Sequence, residues 1–524
     1  MKTTPQHYLI KGDLSGIQAF IFNVQSDTAA QSLKGRSFFL KILCRLVMHR
    51  LFEATATTQA DDQQQAQLST AGGNFILRLP LEAPPAIDQI QRSFNQALAY
   101  TDLSLVLACL PQSDDFIEDK RQLDRQIRQR KHRLFANDWE QFEPFDRTFF
   151  TEVNRNGSRK KGKKDKAKNT WKAITENLLH CTHFQIHAHP QAKTLRISGG
   201  QLFLAGYSIS FGHIGIPFSD GLEANIPTYQ GRIRTFEELA IFGGPKRDGR
   251  AGIHKLGILK LDADDLGQCI HQLSTVDQHR RFDKALQVFF NRQLRELMSH
   301  PTYDQKIYVV TAGGDDSFFV GKWNTLLQLA LDIQHAFAKT FGQDRPDDSP
   351  APRPISLSAA LIIVDPKFPV LRFAQLAEDA LRHAKSVPGK GNIHLLGELV
   401  RWRFLHGKIS ELRERFNRFA KHLLTSGLLA KARHTSLRVL DQEGLNLSDY
   451  WKLNYYMRNF NEPSRRAYNR PMDQRYSGAR ILADYRRCLD QSRRETQPLL
   501  QRNWRLIFPL AARLAEFDQR KSSH

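Results

Sequence analysis

The stretch Tyr308-Val309-Val310-Thr311-Ala312-Gly313-Gly314-Asp315-Asp316-Ser317-Phe318-Phe319-Val320-Gly321 has few ways to fold. Two apolar, β-prone runs flank two glycines and two adjacent acids, the pattern of a hairpin with carboxylates at its tip. Glycines there let a ligand approach the backbone closely, because no Cβ intervenes. Adjacent carboxylates suit a hard divalent cation, which prefers oxygen ligands and brings nucleotide phosphates with it. Taken alone, the tetrapeptide is equally a solvated turn without chemistry, since turns favour these residues.

Gly257-Ile258-Leu259-Lys260-Leu261-Asp262-Ala263-Asp264-Asp265-Leu266-Gly267 narrows the choice. It reads as a buried strand ending in acids, followed by a helical crossover over about 275–300 before the hairpin. Carboxylates at a strand end beside a carboxylate hairpin make the palm arrangement of nucleotide polymerases and cyclases. Two metals held there can activate a ribose hydroxyl and steady a leaving pyrophosphate.

The first hundred residues echo this pattern. Tyr8-Leu9-Ile10-Lys11-Gly12-Asp13-Leu14-Ser15-Gly16-Ile17-Gln18 reads as strand, turn and helix start. Asp13 or Ser15 is placed to cap that helix, with or without a phosphate at its N-terminus. Leu33-Lys34-Gly35-Arg36-Ser37-Phe38 opens a long helix to about residue 53, in which Lys34 and Arg36 serve phosphate or face water. After a Gln-rich stretch expected to be flexible (57–68), Ala71-Gly72-Gly73-Asn74-Phe75-Ile76-Leu77 resembles the acidic hairpin without its acids. We read a degenerate internal duplication. The fold class is α+β: two ferredoxin-like polymerase/cyclase palm domains followed by a C-terminal α-helical domain. The expected divisions are 1–154 (first palm), 155–254 (basic loop and connecting α/β region), 255–400 (second palm) and 401–524 (helical).

The chain of 524 residues carries a formal charge of +22, which favours a polyanionic partner over a membrane surface. Arg159, Lys160, Lys161, Lys163, Lys164, Lys166 and Lys168 form a loop that either contacts nucleic-acid phosphates or is simply solvated. Arg458, Arg465, Arg466, Arg470, Arg475 and Arg480 interleave with Tyr455, Tyr456, Tyr468 and Tyr476. That pattern suits RNA, or a solvated basic helical bundle. Five dispersed cysteines without a C-x-x-C pair fit a reducing, cytoplasmic location, and no apolar run reaches membrane-spanning length. His180, His183, His187 and His189 are too loosely spaced to argue for metal. Lys385 and Lys390 could reach triphosphate oxygens, or stand as exposed lysines at a helix end.

Several of these motifs, in order, carry a family resemblance. Gly12-Asp13-Leu14-Ser15-Gly16-Ile17-Gln18 and Leu33-Lys34-Gly35-Arg36-Ser37-Phe38 resemble the first palm of the large subunit of type III CRISPR effector complexes. Leu261-Asp262-Ala263-Asp264-Asp265-Leu266-Gly267, the Gly-Gly-Asp-Asp hairpin, and Ala384-Lys385 with Gly389-Lys390 resemble its second palm. The resemblance implies a cyclic oligoadenylate synthase that binds two ATP molecules between its palms. Such subunits act when target RNA pairs with the guide RNA. It implies Mg²⁺ or Mn²⁺ on Asp262, Asp315 and Asp316, a hairpin shaped by Gly313 and Gly314, and triphosphate contacts from Lys385 and Lys390. Ser15, Gly16 and Gln18 would line the second nucleotide site. The implied partners are guide and target RNA, the small helical subunit and the subunit holding the guide 5′ handle, with no membrane.

The chain departs from the family pattern at three points. The palm motif begins close to Met1 and no His-Asp dipeptide occurs, so no HD-nuclease cleavage of DNA is expected. The family's zinc-binding cysteine pairs between the palms are missing, which puts a structural zinc in doubt. Asp265 stands where the family commonly has Asn. Competing readings are a catalytically silent scaffold of the guide complex, a cyclase making another product such as cyclic di-GMP, and an enzyme joining AMP to a different small molecule.

Overall fold

The computed structural model describes residues 6–24, 29–57, 59–71, 73–99, 101–134, 170–218, 226–242, 252–313, 316–420, 426–441, 447–458 and 478–520. Its framework is two sheets of the same topology. In the first, β1 (Gln6–Ser15) is followed by helices Ile17–Phe22 and Ala29–Ala54, then β2 (Gln67–Ala71), β3 (Asn74–Leu81), helix Ile87–Ala97 and β4 (Ser104–Pro111). The strand order is β2-β3-β1-β4 and every pairing is antiparallel. This is the βαββαβ ferredoxin-like arrangement. The Gln-rich stretch expected to be flexible instead forms helix Ala60–Ala66, which leads directly into β2.

Between the palms, β5 (His183–Ala188), β6 (Arg196–Ser198), β7 (Gln201–Leu204), β8 (Tyr207–Gly212) and β9 (Ile216–Pro217) form their own sheet, with a small hairpin of β10 (Thr228–Tyr229) and β11 (Arg232–Ile233) after it. The described residues of this connecting region add no strand to the first palm's sheet. It covers the long helix Ala29–Ala54, with Phe38 against Phe218 at 5.0 Å and Tyr207 hydrogen-bonded to Glu53. The Lys-rich loop at 155–168 lies outside the described residues.

The second sheet repeats the first and extends it. β12 (Leu256–Ala263), helices over Leu266–Met298, β13 (Ile307–Gly313), β14 (Asp316–Lys322), helix Trp323–Phe341 and β15 (Leu357–Val364) give the order β13-β14-β12-β15. Helix Val370–Ser386 then returns the chain to β16 (Asn392–Leu395), parallel to β15, and β17 (Glu398–Arg401) closes that edge. Ile258, Leu259 and Leu261 of β12 are buried, as expected for a central strand covered on both faces. The described residues after β17 are almost all helical. The last helix, Pro498–Gln519, is anchored by the buried Glu516, which takes Arg433 at 3.2 Å and Arg513 at 3.1 Å, and by Arg413 forked onto Asp518 at 2.8 Å.

Each palm's crossover helix covers the other palm's outermost strand. From helix Ala29–Ala54, Lys34 Nζ donates to Val309 O (3.2 Å) and Ser37 Oγ to Val310 O (2.5 Å), where β13 carries a bulge. The phosphate or solvent role expected of Lys34 is therefore replaced: it is 1% exposed and satisfies carbonyls on a sheet edge. Arg36 is likewise occupied, donating to Phe20 O (2.5 Å) and lying 5.3 Å over the Phe20 ring and 5.7 Å over that of Trp171. In the opposite direction, helix Val276–Gln287 meets β2 at its own bulge. Arg280 donates to Gln65 O (2.5 Å) in the helix that leads into β2, and at the bulge Asp283 accepts from Ser69 and from the Thr70 N–H. Lys120 of helix Phe116–His132 adds a third tie, donating to Ile270 O (2.7 Å) and Leu273 O (2.6 Å).

Burial pushes the Asp283 carboxyl up to about 7, against hydrogen bonds from Ser69, Gln287 and the Thr70 N–H. The raised folded-state pKa has a definite sign. Between about pH 4 and 7 the unfolded chain ionises this group while the folded chain keeps it protonated, so its contribution to stability falls as pH rises and levels off above 7. Asp283→Asn should match wild type near pH 4 and exceed it at pH 8 by on the order of 4 kcal/mol, measured by urea unfolding across that range.

Candidate active site

The palms face each other across a cavity of 490 Å³. The first palm contributes Ile17, Gln18, Lys41 and Asn74; the second contributes Asp262, Gly313 and Asp316. Asp262 lies near the end of β12 and pairs in register with Asp316, the first residue of β14, which sets the two carboxylates side by side. Gly313 has φ +153°, a backbone value that favours glycine, so the turn demands this residue. Gly314 and Asp315 lie outside the described residues.

Lysines surround the acids. Lys385 donates to Asp262, and Lys390 to Asp265 at 2.5 Å. The bond to Lys390 holds the Asp265 carboxyl below its ordinary pKa. Lys260, with a side chain 5% exposed, lies 3.4 Å from Asp316 and 2.5 Å from Glu378. Burial works against its ammonium, but the two carboxylates outweigh that and raise its pKa. Burial likewise works against the Glu378 carboxylate, but the hydrogen bond and charge of Lys260, with Gln18 and Arg382, together outweigh it and lower its pKa. Gln18 donates to the same Glu378 oxygen at 3.3 Å. The first palm thereby touches, through Gln18, a carboxylate of the second palm that shares the Lys260 ammonium with Asp316.

The same polar set occurs in the first palm. Lys11 bonds Asp124, and Lys131 reaches Asp13 at 2.6 Å. In each palm the lysine stands two residues before the strand acid (Lys11 and Asp13; Lys260 and Asp262). In each, a helical acid precedes a helical lysine by seven (Asp124 and Lys131; Glu378 and Lys385), which places both on one helix face two turns apart. The hairpin register also corresponds: Asp13 pairs with Asn74 as Asp262 pairs with Asp316. Asn74 is thus the counterpart of Asp316, and Gly73 that of Asp315.

Of the residues expected at the site, Asp262, Asp316, Gly313 and Gln18 line the one cavity, and Lys385 and Lys390 grip its acids or their neighbours. Ser15 and Gly16 do not line it. Ser15 Oγ donates to Asp13 at 3.4 Å. Gly16 itself is the N-cap of helix Ile17–Phe22, with no side-chain cap from either Asp13 or Ser15. Its φ is +81° and a Cβ there would stand 1.7 Å from the Asp102 carbonyl oxygen, so its glycine is required by packing. Lys260, Glu378 and Asp264 were not singled out as site residues; the repeated Lys-x-Asp and the seven-residue acid–lysine spacing are the signals that point to the first two. Asp264 is 3% exposed, and its Oδ2 accepts from Ser356 (2.6 Å), Ser358 (2.9 Å) and the Gly391 N–H (2.9 Å). Among the described residues no group of three His, Cys, Asp or Glu side chains is placed to hold a metal. The donors that fit a hard cation are the adjacent oxygens of Asp262 and Asp316. In the arginine–tyrosine segment, Tyr455 and Arg480 are exposed. The side chains of Arg458, Arg465, Arg466, Tyr468, Arg470, Arg475 and Tyr476 lie outside the described residues.

Three substitutions test these assignments. Lys260→Met, which strips Glu378 of its ammonium, should cost about 1–3 kcal/mol in urea unfolding. Combining it with Glu378→Gln should cost less than the sum of the two singles. Gly16→Ala should destabilise by at least about 3 kcal/mol in the same assay, since it adds a left-handed backbone penalty to a clash with backbone.

Comparison with known proteins agrees with this architecture. Residues 255–394 match the family model described as the Cas10/Cmr2 second palm domain, and residues 6–155 match that of Csm1 subunit domain B. Two relatives carry the description "CRISPR system single-strand-specific deoxyribonuclease Cas10/Csm1 (subtype III-A)". That of Methanocaldococcus jannaschii is 24% identical over 465 residues, covering 72% of this chain and 56% of the relative. That of Mycobacterium tuberculosis is 24% identical over 450 residues, covering 73% and 53%. The chain spans about half the length of these curated relatives. Among solved structures, the apo Csm1–Csm4 cassette is similar at TM-score 0.67 and 17% identity, and the cassette in complex with one ATP at 0.66 and 18%. Each covers 97% of this chain and 70% of the solved one. With both palms matched by family models, and the same fold carried through the helical C-terminus, the chain belongs to the Cas10/Csm1 family of palm-domain proteins.

Proposed function

We propose that this chain is the nucleotidyltransferase subunit of a type III CRISPR effector and converts ATP into cyclic oligoadenylates as antiviral signals. The observation that carries the reading is the cavity between the palms, with Asp262 and Asp316 side by side on one wall and Gln18 and Asn74 on the other. A pocket shared by two related domains suits two copies of one substrate. Csm1–Csm4 cassettes of the same fold have been solved with AMPPNP, with pppApA and with cA4.

In the reaction, a 3′-oxygen bonds to the α-phosphorus of a second ATP while the bond to the β-phosphate's bridging oxygen breaks, releasing pyrophosphate. Mg²⁺ or Mn²⁺ held by Asp262, Asp316 and Asp315 would lower the pKa of that 3′-hydroxyl and neutralise phosphate charge. Lys385 and Lys390 meet the triphosphate as point charges and leave Asp262 and Asp265 to do so. Lys260 keeps a positive charge beside Asp316 whether or not the site is loaded. Ser15, Gly16 and Gln18 belong to the face that receives the second nucleotide, Gln18 by contact and Gly16 by shaping the backbone. Only the second palm has acids at both hairpin positions, so one palm carries out transfer and the other positions a nucleotide.

Guide and target RNA and other effector subunits, including the small helical subunit and the one holding the guide 5′ handle, are the partners this reading requires. A net charge of +22 accords with them. Among the described residues no helix is long and apolar enough to cross a membrane. The deoxyribonuclease activity named for the curated relatives is stated of those proteins, and the present reading assigns no residue of this chain to DNA cleavage.

The test is incubation with labelled ATP and Mg²⁺ or Mn²⁺, for the protein alone and in its guide-RNA complex with target RNA, with products resolved by mass spectrometry. Oligoadenylates should appear on target RNA. The double substitution Asp315→Ala, Asp316→Ala should reduce them at least about a hundredfold while the complex still assembles. An intact wild-type complex that consumes no ATP would favour a silent scaffold.

A further inference from the structure

The loop Pro388-Gly389-Lys390-Gly391 carries Lys390 back to the acidic strand end, and its backbone is one the chain does not adopt unaided. Gly389, Lys390 and Gly391 have φ of +80°, +32° and +63°. Lys390 has a Cβ, and a left-handed conformation in such a residue persists only where its surroundings over-determine it. Two anchors do so. On one side the buried Asp264, already held by Ser356 and Ser358, takes the Gly391 N–H. On the other, the guanidinium of Arg401 donates to three carbonyls in succession: Pro388 O at 3.0 Å, Gly389 O at 2.9 Å, and Lys390 O. A Cβ on Gly389 would lie 3.0 Å from Arg401 Nη2, so glycine is what lets the guanidinium come so close.

Arg401 is in turn set by the C-terminal helix. It is the last residue of β17, and its N–H donates to Asn503 Oδ1 at 2.8 Å. The fully buried Asn503 also donates to Leu399 O at 2.7 Å, and Arg502 forks onto Glu398 with both bonds at 2.7 Å. Helix Pro498–Gln519 thus grips β17 along its length, and β17 presents the guanidinium that holds the loop.

We propose that Arg401 is a positioning residue for Lys390, and that through Asn503 the seating of helix Pro498–Gln519 on β17 sets the loop that offers this lysine to a nucleotide triphosphate. The inference rests on reading Lys390 as a triphosphate ligand. Lys390 contributes binding only while its loop keeps the ammonium at the strand end, within reach of the triphosphate. Loss of the clamp is therefore equivalent to loss of the lysine.

The experiment is a double-mutant cycle on the full chain, reading the affinity of a fluorescent ATP analogue with Mg²⁺. Arg401→Ala and Lys390→Ala should each weaken binding about tenfold, and the double variant should bind no more weakly than Lys390→Ala alone. Gly389→Ala, which crowds the guanidinium and also strains the loop backbone at φ +80°, should reproduce the loss. Asn503→Ala should weaken binding in the same direction. Additive losses, or wild-type affinity in both Arg401→Ala and Gly389→Ala, overturn the proposal. Should Arg401→Ala fail to fold, the cycle of Gly389→Ala with Lys390→Ala decides by the same criterion. Oligoadenylate synthesis is measured separately: a wild type that binds the analogue but makes no product refutes the proposed function and leaves the coupling readable. A wild type that binds no analogue overturns both.

Discussion

Everything at the site depends on an exchange of helices between the palms. A sheet edge leaves a row of backbone carbonyls and amides without partners, and burying it is costly unless another element satisfies them. Here Lys34 and Ser37 of one palm satisfy the bulged edge of the other, while Arg280 and Asp283 answer in the reverse direction. Neither palm has its outer strand fully covered without the other. The cavity between them is thus a product of folding, with walls set by the same contacts that close the two edges. Two ammonium groups, Lys34 and Lys120, end on backbone carbonyls across this boundary, where hydrophobic packing alone would not fix the register.

The duplicated plan was legible because its strongest signals are local. Alternating and continuous apolar runs, Gly-Gly turns and strand-end acids can be read without tertiary information, and they pointed to Asp262, Gly313 and Asp316; Gln18, which lines the same cavity, was implied by the family resemblance alone. What the sequence could not disclose were roles set by distant partners. Lys34 and Arg36 look like phosphate ligands in a glycine-bearing motif, yet one binds β13 carbonyls and the other stacks between Phe20 and Trp171. Gly16 looks like a close-approach glycine, yet the group it admits is the backbone of Asp102. The Gln-rich stretch reads as flexible because Gln has no amphipathic signature, and its helix is held by connection to β2 and by neighbours such as Arg280. Lys260 was hidden by its setting, since a lysine within an apolar strand gives no indication of Glu378, more than a hundred residues away.

The paired polar sets show what duplication kept and what it released. The lysine–acid contacts Lys11–Asp124 and Lys260–Glu378, and Lys131–Asp13 and Lys385–Asp262, survive in both halves. The hairpin acids survive in one. Charge balance within a palm therefore does not require the acidic tip: Asp13 remains neutralised by Lys131 with Asn74 opposite. In the second palm the additional carboxylate of Asp316 is matched by a buried ammonium, so negative charge at the tip is built on a compensated base.

That asymmetry is difficult to reverse. Gly73, the counterpart of Asp315, has φ +88°, and a Cβ there would come within 2.4 Å of the Ile17 terminal methyl. An aspartate introduced at this position would meet both a disfavoured backbone conformation and an occupied volume. The Ile17 methyl ends a flexible side chain and can turn aside, but the left-handed backbone stays. Two equivalent palms would thus need a different hairpin backbone before they could carry a second acidic tip.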